Sequence, residues 1–176
     1  MPFEPEAREI WTDATDHYTP HVPRDFGRTV QKGDESFEGN KVSLWRWRDD
    51  FQHDFAARMD WCVASYEDAN HPPVPLLSGP EEITVGSAQG FGLDASRSFD
   101  PDGDNLSFLW FHYPEAGTYS KPIEIGGADN AHGVYIVAPE VEQRETAHFI
   151  LRVTDKGIPG LSRYKRIIVT IEPSQE

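Results

Sequence analysis

Seven short runs of strand-forming residues, each closed by turn chemistry, fill positions 76–172 and constrain this chain more than any other feature. The runs are 81–85, 91–95, 106–113, 122–125, 133–138, 147–154 and 164–171. Several alternate or are rich in β-branched and aromatic residues, as in FILRVT and IIVTI, which suits a pleated, half-buried surface. Gly86 with Ser87, Asp100 to Gly103, Gly126 with Gly127, and Lys156 with Gly157 supply the breaks. Such residues turn the chain through positive φ or by bonding their own backbone. About seven short strands over roughly 100 residues predict a two-sheet β-sandwich, so the chain is expected to be mainly β.

The first 69 residues differ in character. Positions 1–44 are polar and irregular, broken by Pro2, Pro5, Pro20, Pro23, Gly27, Gly33 and Gly39. A long stretch without elements inside a compact domain is uncommon, so this zone reads as loops or as part of something larger. Positions 45–69 read as a strand end followed by a helix. Phe51, Phe55, Met59, Cys62, Val63 and Tyr66 fall at spacings of three and four and build one apolar face. Asp49 or Asp50 can cap the helix, and Asp54 and Arg58 can pair on its flank. That face needs a partner, either a larger domain or the sandwich itself. Positions 70–75, NHPPVP, stop the helix and read as a stiff linker.

Charge narrows the function classes. The chain carries 30 acidic against 16 basic residues, a net charge of −14. Such a surface repels phosphate backbones and anionic lipid, which argues against nucleic-acid or membrane-surface partners. It suits cations or neutral partners such as polysaccharides. Cys62 is the sole cysteine, so no internal disulfide forms. No apolar run is long enough to span a bilayer. The start, MPFEPEAREIW, is acidic and carries prolines, so no signal peptide is expected in this chain. Either the protein is intracellular or its true N-terminus lies upstream of Met1.

Individual residues admit a sharp and a plain reading. Asp100, Asp102 and Asp104 could bind a cation, but they lack the spacing and distal glutamate of a helix-loop-helix calcium loop, and a turn is favoured. Trp110 could stack on a sugar; filling the core is favoured. Leu109, Phe111 and Tyr113 lie on the alternate face of the same strand, where an apolar surface could pack on a neighbouring domain or bind glucan; the interface is favoured. Tyr113, Tyr119 and Tyr135 are the candidate carbohydrate-stacking residues. Trp45 and Trp47, alternating with Arg46 and Arg48, read as the buried end of a strand or as a cation–π ladder.

Two segments carry resemblances. LDASRSFDPDGDNLSFLW at 93–110, with AHFILRVTD at 147–155, resembles the PKD repeat, which implies an immunoglobulin/PKD-like β-sandwich over 76–172. EIWTDATDHYTP at 9–20, then SLWRWRDDFQHDFAARMDWCV at 43–63, then the linker and sandwich, is similar to the C-terminal part of a cellulose-binding family. Its members pair a nucleoside-hydrolase-like α/β domain with an immunoglobulin-like domain. The resemblance implies that 1–69 is an incomplete C-terminal piece of the α/β domain, and that the Trp-Arg segment supports its pocket. It implies binding to a cellulose-like polysaccharide and an extracellular or periplasmic setting for the complete protein. His53 to Ala57 match the family's His-Asp-x-x-Ala motif, which implies a calcium-ligand role for Asp54 and a catalytic role for His53 beside the leaving base. The aspartate cluster D-x-D-x-x-x-D-D that such hydrolases also need does not occur in these 176 residues. One carboxylate does not hold calcium, so this chain alone is expected to be non-catalytic. The alternative is a truncated portion of a calcium-dependent N-glycosyl hydrolase.

Overall fold

The computed structural model describes residues 47–128 and 130–174. The expectations for residues 1–46, including Trp45 and Arg46, lie outside the described residues. The described chain has one α-helix, α1 (Arg48–Asp60), followed by β1 (Glu82–Gly86), β2 (Gly90–Asp94), β3 (Ser107–His112), β4 (Ile125–Gly126), β5 (Gly133–Val137), β6 (Glu145–Thr154) and β7 (Ser162–Glu172). A four-stranded sheet runs β1-β7-β6-β3 and a three-stranded sheet runs β2-β5-β4. All the pairings are antiparallel except β1 with β7.

The two sheets meet face to face, because alternate residues of each strand turn inward. Trp110, Phe149, Leu151, Val153, Ile167, Val169 and Ile171 of the larger sheet pack with Leu93, Val134 and Ile136 of the smaller. This is the expected immunoglobulin/PKD-like β-sandwich. Trp110 is a core residue, 1% exposed, and its indole N–H donates to the Ala131 carbonyl at 2.9 Å. A buried indole keeps its polar atom only with such a partner.

Elements depart from expectation at their ends. The fourth strand shrinks to Ile125–Gly126, since Pro122 has no N–H to give a ladder. The helix stops at Asp60 rather than reaching Tyr66. Beyond Asp60 the backbone N–H groups of Cys62 and Val63 reach back three residues, to Met59 and Asp60, and the turn tightens out of the helix. Neither Asp49 nor Asp50 caps α1; Trp47 is the N-cap residue, without a side-chain cap bond, and both acids sit in the first turn. Trp47 and Arg48 therefore begin a helix instead of ending a strand.

Residues 70–75 lie along the sandwich. Pro73 and Pro75 are buried, and Val74 bridges to Phe99. The Asn70 side chain donates to the Pro159 carbonyl at 2.8 Å and to Asp155 at 3.3 Å. A Cβ on Gly157 would overlap that amide, so only glycine allows the contact.

Candidate functional site

The helix bearing His53 and Asp54 is gripped by the larger sheet. Asp50 accepts a hydrogen bond from the Tyr164 hydroxyl and lies 3.9 Å from Arg152. Trp47 sets its ring edge-on to Tyr164, centroids 5.0 Å apart, and 6.1 Å from Phe111. Phe111, Arg152 and Tyr164 lie on the sheet face opposite the core, because they alternate with Trp110, Leu151 and Val153 along their strands. Of the outer face expected to be an interface, Phe111 meets the chain's own helix start through Trp47.

Asp54 has both oxygens engaged. Arg58 donates to one at 2.7 Å and Arg163, the second residue of β7, to the other at 3.0 Å. The bond from Arg58 first, and then that from Arg163, holds the carboxyl below the usual carboxylate range. The anticipated Asp54–Arg58 pair is present; Arg163 was not legible, since it lies 109 positions away. His53 is exposed, and its Nδ1 donates to the Gly160 carbonyl at 3.0 Å.

Calcium wants several hard oxygen ligands. Asp54 faces two guanidinium groups, and among the described residues no group of three or more His, Cys, Asp or Glu side chains could hold a metal ion. The residues present therefore do not fit calcium as they stand, and no chemical step is derived through one.

The helix turns its apolar residues away from the sandwich. Phe51, Phe55 and Met59 are 45%, 64% and 49% exposed. The sandwich is thus not the partner that their spacing calls for. The acid-bearing side of α1 docks instead, and Ala57 is its buried residue.

The aspartate loop is a turn. Asp100 accepts the backbone N–H groups of Asp102 and Asp104 at 2.9 and 3.2 Å, and Gly103 takes φ 83°. Asp102 receives the His71 ring at 2.8 Å, and His71 stacks between Trp61 and Tyr66. Nearby Asp155 is 2% exposed; burial raises its carboxyl, while bonds from the N–H groups of Leu161 and Gly157 oppose that shift.

The candidate tyrosines are not brought together. Tyr113 and Tyr119 follow the end of β3, and their backbone N–H groups bond the carbonyls of His148 and Thr146 on β6. Tyr135 stands on the three-stranded sheet, 61% exposed. Its cross-strand neighbours are Gly92 and Gly126. A Cβ on Gly90 would overlap its ring and hydroxyl. Sequence alone marked Tyr135 without its glycine bed, although the alternating glycines of GFGLD are the visible signal.

Residues 90–171 match the family of the C-terminal domain of cellulose-binding protein Sde0182. A nucleoside hydrolase-related hypothetical protein from Saccharophagus degradans, described as associated with carbohydrate metabolism, is 31% identical, with a TM-score of 0.71 over 78% of this chain. The chain spans 36% of that protein. The PKD domain of the KIAA 1837 protein is 22% identical over 58% of this chain and 93% of its own, at a TM-score of 0.39, too slight to argue from. No curated protein sequence matches the chain.

Proposed function

From the match of residues 90–171 to the Sde0182 C-terminal domain family, we propose that this chain associates with a cellulose-like polysaccharide, with the sandwich as its binding module. The observation that carries this reading is the position of the match: it covers β2 to β7 nearly to its end and none of α1. The net charge of −14 favours a neutral polymer over an anionic one. A polymer of this kind is met outside the cytoplasm, so we place the complete protein there. The test is retention of the whole chain on insoluble cellulose at low salt, with starch granules as control. Passage through the column would refute the proposal.

A second reading is favoured by α1 and by the Saccharophagus relative. Residues up to 69 would form the end of a nucleoside-hydrolase-like body, with Phe51, Phe55 and Met59 turned towards it. On that reading Asp54 would have to leave its arginines, and further oxygen ligands would come from outside the described residues. Calorimetric titration of the complete protein with calcium separates the two. The hydrolase reading expects binding that Asp54→Ala abolishes; the binding-module reading expects none.

A further inference from the structure

We infer that the outer face of the three-stranded sheet is a flat stacking platform for a neutral β-linked glucan, with the Tyr135 ring as its contact surface. The inference rests on the polysaccharide reading above and assigns it a place.

The register builds the platform. Tyr135 is the middle residue of β5, the central strand of this sheet. On one side it faces Gly92 and on the other Gly126, so no side chain flanks it directly. Gly90 is the diagonal neighbour, opposite Val137, and the Tyr135 ring extends over it. A ring between side-chain-bearing neighbours would stand up from the sheet; flanked by Gly92 and Gly126, this one leans over Gly90. At 61% exposure it shows its free face to solvent, and Val137 continues the apolar surface at 53%.

Chemistry selects the occupant. A β-linked glucopyranose carries its hydroxyls at the ring's equator, which leaves two faces of C–H groups. Such a face matches a bare aromatic ring, with hydroxyls left for polar groups at the rim. Asp94 stands on the same face, opposite Gly133. Bonds from the Ser96 backbone N–H first, then from the Ser78 and Ser96 hydroxyls, hold it ionised, with His132 3.5 Å away, so it is a fixed acceptor beside the ring. Gly90, Gly92, Gly126, Tyr135 and Val137 carry no charge, on a chain of net charge −14. An uncharged strip bordered by the Asp94 carboxylate, on an acidic chain, admits a neutral polymer and rejects anionic ones. A flat platform suits the ribbon of a β-1,4 glucan better than the curved coil of an α-1,4 glucan.

The experiment is a binding isotherm of the whole chain on microcrystalline cellulose, with starch granules in parallel and a thermal melt of each variant. Tyr135→Ala is expected to weaken binding about tenfold or more, as removal of an aromatic anchor does. Tyr135→Phe keeps the ring and is expected to bind like the parent. Val137→Glu puts a charge at the platform's edge without uncovering a glycine, and is expected to weaken binding. If the parent chain binds cellulose and Tyr135→Ala binds equally well, the ring only covers glycine backbone and the inference is overturned. If Tyr135→Ala does not fold, Val137→Glu decides, and unchanged affinity overturns the inference. A parent chain that fails to bind overturns the polysaccharide reading itself, and this site with it.

Discussion

His112 should make the sandwich acid-labile in a window set by one ring. It ends β3 on the inward face, opposite Phe149, with ring centroids 5.5 Å apart. Its Nε2 is buried without a hydrogen-bond partner among the described residues. Burial, and then the neighbouring His148, push its pKa down to about 4. Unfolded, the ring titrates near 6.5. The folded value is the lower one, so the unfolded chain takes its proton first as pH falls. Stability is fully present above pH 6.5 and is lost progressively down to about pH 4. Between pH 7.5 and pH 5 a fully dry ring would lose about 2 kcal/mol. This ring is partly exposed, so the expected loss is about 1 kcal/mol. Urea unfolding of the parent and of His112→Phe at pH 7.5, 6 and 5 measures it. Burial also lowers His148, so both proteins should lose stability, and the difference between them isolates His112. Equal losses in the two proteins would refute the reasoning.

Replacing Asp54 with Asn should cost about 0.5–1 kcal/mol, the scale of two partly exposed ion pairs, and calcium should leave the parent's melting temperature unchanged; a calcium-dependent rise that Asp54→Asn removes would refute the clasp. Trp110→Ala should cost about 3–5 kcal/mol in urea unfolding, because it empties the core between the sheets. Replacing Phe51, Phe55 and Met59 together with Ser should change stability by about 0.5 kcal/mol or less at each position and reduce self-association in light scattering. A loss of several kcal/mol would mean that this face is buried in the chain itself.

What could be read from sequence was what repeats locally. The long strands β6 and β7 announce themselves in FILRVT and IIVTI, since alternation is a property of neighbouring residues. Trp110 was legible as core because a strand tryptophan in a two-sheet sandwich of this kind usually fills the space between the sheets. Asp54 and Arg58 were legible because four residues is one helical turn. Arg163, Arg152 and Tyr164 were not, because it is the placing of the adjoining ends of β6 and β7 beside α1, and not any spacing, that brings them to Asp50 and Asp54. The glycine bed of Tyr135 escaped in the same way. Gly92 and Gly126 are meaningless apart and become a site only when β5 lies between β2 and β4.

The helix carries the remaining lesson. Its spacing of Phe51, Phe55 and Met59 correctly marked an apolar face, and the partner offered for that face among the described residues was wrong. A helix has two sides, and here the polar one docks. Asp50 and Asp54, one turn apart, meet Tyr164, Arg152 and Arg163, while the aromatic grip of Trp47 fixes the entry. An isolated module gains nothing from turning two phenylalanines and a methionine outward, because half-exposing each forfeits part of the about 1.5–3 kcal/mol that full burial gives. An element shared between two bodies needs both sides: charge for the one, apolar contact for the other. His53, tied to the Gly160 carbonyl at 3.0 Å, belongs with Asp50 and Asp54 among the residues by which α1 docks on the sandwich.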